Sequence, residues 1–196
     1  KDVGIKPTPT IGGVGLIKDY KNMITMGLKQ IDNILIVVGK TEGHLDQSVF
    51  AREILDEKNG PPPEINLFNE KNNGETILKL IDKKLIKSAH DVSIGGIIVA
   101  LSKMCINGKK GVTFRKPNYL IDQFEYLFGE DQGRYIIEIE KDNFKNVIEI
   151  FEKNSVHFDE LGTVNENELI INDKSKVSID ELVKFHTSWL TNYMKK

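Results

Sequence analysis

The stretch Ser88 to Met104, SAHDVSIGGIIVALSKM, sets a His-Asp pair and a serine in front of two adjacent glycines and an apolar run with helical spacing. A His beside an Asp is the base-and-orienter half of a nucleophilic constellation. Asp91 or Ser93 could instead cap the helix that follows. The first N–H groups of a helix have no internal partners, so the same turn could receive an anion, aided by the helix dipole. Gly95 and Gly96 weaken a helix but admit close backbone approach, which predicts that a ligand or another part of the chain meets this turn.

A second cluster lies in LFGEDQGRYII, where Glu130, Asp131 and Arg134 precede a strand. A carboxylate and a guanidinium there could form an ion pair that positions a loop, or Arg134 could clamp a phosphate or carboxylate. Other chemistry finds little support. The histidines His44, His90, His157 and His186 lack the close pairings that build zinc sites, so no metal ligand is expected. Cys105 is the only cysteine, which rules out an internal disulfide or thiolate cluster, and its apolar setting predicts a small buried hydrophobe. Gly12, Gly13 and Gly15 form neither a P-loop nor a dinucleotide fingerprint, whose third glycine would fall at Lys18.

The elements that must position these residues follow from periodicity. NILIVVGK is β-branched, apolar on both faces and closed by Gly39, as expected of a central strand buried on both sides. LDQSVFAREILDE carries Leu45, Val49, Ile54 and Leu55 at roughly helical spacing and stops before the prolines of NGPPPEI. A helix is predicted over 74–84 with Ile77, Leu80, Ile81 and Leu85 as its stripe, leading to a short strand over 86–89. The next helix, from Ser93, places Ile94, Ile97, Ile98, Leu101 and Met104 on one face and should be buried.

Farther on, VTF reads as a strand, NYLIDQFEYLF as a helix, and GRYIIEIE as a strand alternating Ile137 and Ile139 with Glu138 and Glu140, hence wet on one face. DNFKNVIEIFEKN is an amphipathic helix, and VHFDELGTV with NELIIND resembles a closing pair of strands. The last helix opens on Ser178 and Glu181 in capping-box spacing. Its stripe is Ile179, Leu182, Val183, His186, Trp189, Leu190 and Tyr193, with His186 read as a packing residue. The order of elements indicates the α+β class: an α/β sandwich with a mixed sheet.

The chain of 196 residues suits one sizeable core plus a connecting segment, and KPTPTIGGVGLIKD reads as that connector. It has no initiating Met and opens in a loop-like stretch, as a fragment would. Its 27 basic and 29 acidic residues are interspersed, so no basic field for nucleic acid is expected. No apolar run approaches the roughly 18 to 20 residues that cross a bilayer, and KDVGIKPTPT lacks signal-peptide features. The expected location is cytoplasmic, with no membrane partner.

Five segments in order, PTPTIGGVGLI, HLDQSVFAREI, GPPPEINL, SAHDVSIGGIIVAL and LFGEDQGR, resemble the C-terminal part of the large subunit of phosphoribosylformylglycinamidine synthase. The resemblance covers nearly the whole chain and is nearest the small bacterial type. It implies a fold like the C-terminal domain of aminoimidazole ribonucleotide synthetase, with residues 1–18 the tail of a preceding N-type domain and 19–196 the domain itself. It implies an ATP-dependent C–N ligase of purine biosynthesis, acting on formylglycinamide ribonucleotide with Mg²⁺ and glutamine-derived ammonia. The implied partners are the rest of the same subunit, a separate glutaminase and a small bridging subunit.

In that family the catalytic histidine and the principal ATP, Mg²⁺ and substrate ligands lie upstream, and none of those motifs occurs here. No catalytic residue is therefore carried over, and the chain alone is expected to be inactive, bracing the ATP-handling domains. Ile94 stands where the commoner DVSDGG form has Asp. Asp91, Ser93, Gly95, Gly96 and Arg134 are the candidates for anion contact. The alternatives are a fragment of another enzyme of the same superfamily, or a non-catalytic assembly module.

Overall fold

The computed structural model describes residues 9–17, 19–118 and 121–195. Its strands are β1 (Ile34–Val38), β2 (Ser88–Val92), β3 (Gly111–Phe114), β4 (Arg134–Ile139), β5 (Phe158–Asn165), β6 (Glu168–Ile171) and β7 (Ser175–Ser178). Its helices are α1 (Val49–Glu53), α2 (Leu67–Asp82), α3 (Gly96–Gly108), α4 (Gln123–Phe128), α5 (Phe144–Lys153) and α6 (Ile179–Met194). Residues 9–17 form no regular element, and Ile11, Val14 and Leu16 are exposed. Lys18, Tyr119 and Leu120 lie outside the described residues, as does the start of the connector.

The strands form one mixed sheet in the order β2-β4-β1-β5-β3-β6-β7, antiparallel except for the parallel pair β3 and β6. Strand β1 is interior, and its alternating side chains feed two cores. Leu35 and Val37 join Ile97, Leu101, Met104 and Cys105 of α3 on one face. Ile36 and Val38 join Leu80 of α2 and Val147 and Phe151 of α5 on the other. Each fully buried side chain of this size contributes about 1.5–3 kcal/mol, so both apolar faces of β1 are needed to hold helices on both sides. The α/β sandwich follows from that double burial.

Several elements differ from the periodicity reading. The helix after Ser48 is short, because Asp56 turns into the left-handed region; Ile54 and Leu55 are exposed and Leu45 precedes the cap. Helix α2 starts at Leu67, where the Asn66 side chain accepts from the Asn69 N–H; exposed Leu67 and Phe68 offered no stripe to signal it. The strand read over 86–89 runs instead from Ser88 to Val92, since pairing of Asp91 with Tyr135 and Val92 with Arg134 extends the ladder. Strands β5 and β6 do not pair with each other: β3 lies between them, and β6 pairs with β7, which the sequence reading lacked.

Strand β4 is not wet on one face. Glu138 is fully buried, and its carboxylate accepts from Lys29 N–H (2.9 Å), Gln30 N–H (2.9 Å), Asn33 Nδ2 (2.8 Å) and Ser88 Oγ (2.8 Å). A buried carboxylate is tolerated only when its lone pairs are filled, and these donors fill them. Glu138 thereby pins the 29–33 segment to the sheet beside β2.

Candidate functional site

The residues singled out by the sequence meet at the start of α3. That helix begins at Gly96, not Ser93, with Gly95 as its N-cap in the left-handed region (φ 87°) and no side-chain cap bond. Neither Asp91 nor Ser93 caps it. Asp91 lies in β2, and the backbone carbonyl of Ser93 accepts from the Gly96 N–H at 3.0 Å. Ile94 is 67% exposed, outside the buried face, because it precedes the helix.

What approaches the glycine turn is the end of α4. A Cβ on Gly96, whose φ is +70°, would lie 2.6 Å from the Leu127 carbonyl oxygen and 2.8 Å from that of Gly129. The N–H of Gly95 donates to Glu130 Oε1 at 2.9 Å, and the same oxygen accepts from Val49 N–H, in the first turn of α1, at 2.8 Å. One carboxylate thus ties two helix starts together, where backbone N–H groups lack internal partners.

Asp131 fills a second cradle. Its carboxylate accepts from three successive N–H groups, Glu42 (3.2 Å), Gly43 (3.1 Å) and His44 (3.1 Å). Such a run of N–H groups is an anion-binding nest. Arg134 is 1% exposed and completes the unit. Its guanidinium donates to the Asp131 carbonyl (3.1 Å), Thr41 Oγ1 (3.1 Å) and the Gly129 carbonyl (2.6 Å), and Nη1 lies 3.5 Å from Asp131 Oδ2. Burial lowers the Arg134 pKa, with Asp131 opposing that shift. Of the two roles open to Arg134, the geometry displays the loop-positioning ion pair.

His90 and Asp91 do pair: Nδ1 lies 3.1 Å from Asp91 Oδ1. The other ring nitrogen, Nε2, is buried without a hydrogen-bond partner among the described residues. A base needs a hydroxyl or thiol within reach of that nitrogen, and none among the described residues is bonded to it, so these residues do not show an assembled triad. His90, Asp91 and Tyr135 border a groove of about 670 Å³ floored by Ile77 and Ile81.

A larger cleft of about 1010 Å³ opens beyond β1 and α2. Glu42, Asp46, Glu64, Glu70, Glu125 and Asp131 line it against the single lysine Lys40, which is paired with Glu42 at 2.5 Å. His157, also in the lining, is held below the usual histidine range by burial and by Lys40. The lining of the cleft is therefore predominantly acidic, which opposes binding of a free, metal-less polyphosphate. Among the described residues no cluster of three or more His, Cys, Asp or Glu side chains is arranged to hold a metal. No helix of the described residues is long and apolar enough to cross a membrane.

Several structural residues escaped the sequence reading. Thr41 sits in a segment without motif character, and Glu138 reads from its alternation as a water-facing residue. Tyr126 and Asp159 meet at 3.2 Å in the core, and burial raises Asp159 to about 6. Cys105 is fully buried, with its thiol pushed up to about 12 by burial, as suits a packing residue.

A mixed sheet covered on both faces, with a glycine turn locked by the GED carboxylates, defines the class of domain. Residues 30–173 match the model of the AIR synthase related protein, C-terminal domain, and the chain belongs to that family. It is 78% identical over 195 residues to the phosphoribosylformylglycinamidine synthase subunit PurL of Pelagibacter ubique, covering 100% of this chain and 27% of that protein. The PurL of Bartonella bacilliformis is 39% identical over 190 residues, with 97% and 26% covered. The chain therefore spans about a quarter of the length of these relatives. Among solved structures, Thermotoga maritima PurL complexed with FGAR superimposes with a TM-score of 0.70 at 18% identity, over 83% of this chain and 30% of that one, a likeness of fold.

Proposed function

We propose that this chain is the C-terminal domain of the large subunit of phosphoribosylformylglycinamidine synthase, and that it braces the ATP- and substrate-handling domains without supplying catalytic residues. The observation that carries the reading is the 78% identity over the full chain to a relative of which it covers 27%. The enzyme would be an ATP-dependent C–N ligase of purine biosynthesis in the cytoplasm, converting formylglycinamide ribonucleotide to the amidine with ammonia derived from glutamine. A Thermotoga PurL structure contains ATP, which supports ATP as the whole enzyme's nucleotide. Mg²⁺ would accompany it, held by residues outside this chain. The structure of PurLQS from Thermotoga maritima supports the presence of partner subunits, and these would be a separate glutaminase and a small bridging protein.

The local geometry supports a bracing role. The anion cradles at 42–44 and at Gly95 hold the chain's own Asp131 and Glu130, and Arg134 is spent on backbone carbonyls and Thr41. Asp91, Ser93, Gly95, Gly96 and Arg134 accordingly act here as framework and contact residues. The test is an assay of the isolated chain and of the full-length subunit with ammonia as nitrogen donor. Amidine formation should require the full-length subunit; turnover by this chain alone would overturn the reading. Titration with ATP or ribose phosphates, followed by the amide shifts of Gly95 and Gly96, separates bracing from ligand binding, since saturable shifts would require a ligand site.

A further inference from the structure

Helix α6 falls into two halves. Ile179 is buried, and Leu182 and Val183 pack with Val177 against the core beside α3. Beyond them the stripe continues without cover. Phe185, Trp189, Leu190, Tyr193 and Met194 are between 59 and 73% exposed, at spacings that put Trp189, Leu190 and Tyr193 on one face of the helix with Phe185 and Met194 at its two edges. His186, expected to pack, is exposed as well. Trp189 and Tyr193 stack at 5.3 Å with their rings 14° from parallel, presenting a flat aromatic surface.

The segment 185–194, FHTSWLTNYM, contains no Asp, Glu, Lys or Arg. Aromatic residues and Met with charge depleted are the composition of the buried centre of a protein–protein interface. Ten helical residues carry that surface over about 15 Å.

We propose that this half of α6 seats the domain on the remainder of its own large subunit, against an uncharged apolar surface contributed by polypeptide outside this chain. The proposal rests on the reading that the chain is one domain of that subunit. Three observations select this occupant. The relatives carry about three times as much chain again, which must meet this domain somewhere. The family match ends at residue 173, ahead of α6, whereas the Bartonella relative aligns over 190 of the 196 residues and so shares most of the helix. Surfaces that meet separate partners use charge for steering and selection, and a permanently covered one needs none.

The test uses the full-length subunit, purified without its partner subunits, with a photoreactive benzoylphenylalanine replacing Tyr193 or, as a control on the opposite side of α6, Lys184. Irradiation should join position 193 to peptides of the same polypeptide outside this chain, independently of protein concentration, while position 184 gives at least tenfold less product. Cross-links only to a second copy, only after a partner subunit or lipid vesicles are added, or none above the control would overturn the docking. Intact mass of the natural gene product separates the two levels of failure. A product no longer than this chain would remove the underlying reading, whereas a full-length product without the cross-link would remove the docking alone.

Discussion

The carboxylate of Glu130 and the backbone N–H of Gly95 meet at 2.9 Å, so the start of α3 is capped from a different part of the chain, 35 positions away. The same oxygen holds Val49 at 2.8 Å, which couples the starts of α1 and α3 to the loop before β4.

Removing that carboxylate leaves two helix-start donors unpaired. Glu130→Ala should cost about 1–3 kcal/mol in urea unfolding. Hydrogen exchange should quicken at Val49 and Gly95 together. Glu130→Gln, which retains an acceptor oxygen, should lose less; equal exchange rates in the wild type and the Ala variant would contradict the coupling.

Arg134 should tolerate no replacement. Arg134→Met removes the charge that faces Asp131 and leaves the Gly129 carbonyl and Thr41 without their donor, an expected loss of roughly 3–5 kcal/mol by chemical denaturation. Arg134→Lys should recover less than half of it, because an ammonium cannot span three acceptors held in a planar fork.

Gly96 is predicted to reject even a methyl group. Its left-handed φ and the Leu127 carbonyl 2.6 Å from the Cβ position should make Gly96→Ala cost about 1–3 kcal/mol. Gly13→Ala, with nothing within 4 Å, should be close to neutral. Thermal unfolding of the two variants side by side gives the comparison.

Asp159 should leave a pH signature. Burial raises its folded pKa to about 6, above the roughly 3.9 of an unfolded aspartate. The folded state therefore binds this proton more tightly, and the contribution is complete below about pH 4 and lost as pH rises toward about 6. His157, 3.8 Å away, works in the opposite sense: its lowered pKa contributes stability above about pH 6.5 that fades as pH falls. The difference in urea midpoint between wild type and Asp159→Asn, followed from pH 4 to 7, isolates the aspartate. A difference that does not vary with pH would refute the assignment.

The legible parts of the fold were those where one short segment states its own environment. NILIVV is apolar on both faces and became the interior strand β1, and Ser178 stands ahead of α6 and accepts from Glu181 N–H at 3.2 Å. Alternation misled at Glu138, because a carboxylate facing water and one accepting from four donors of its own chain have the same period. The α3 boundary misled because strand pairing with β4 competed with helix capping at Asp91 and won.

The amino-acid sequence by itself determined the family, the class of fold, the central strand and the glycine turn as a place of close approach. Those follow from local apolar patterning and from motifs that survive without knowledge of contacts. Only the tertiary structure decided what each charged residue does there. Glu130 and Asp131 occupy the backbone cradles, Arg134 braces them, and Asp91 and Ser93 cap nothing, because hydrogen-bond partners across 35 to about 90 positions depend on how the sheet brings the loops together.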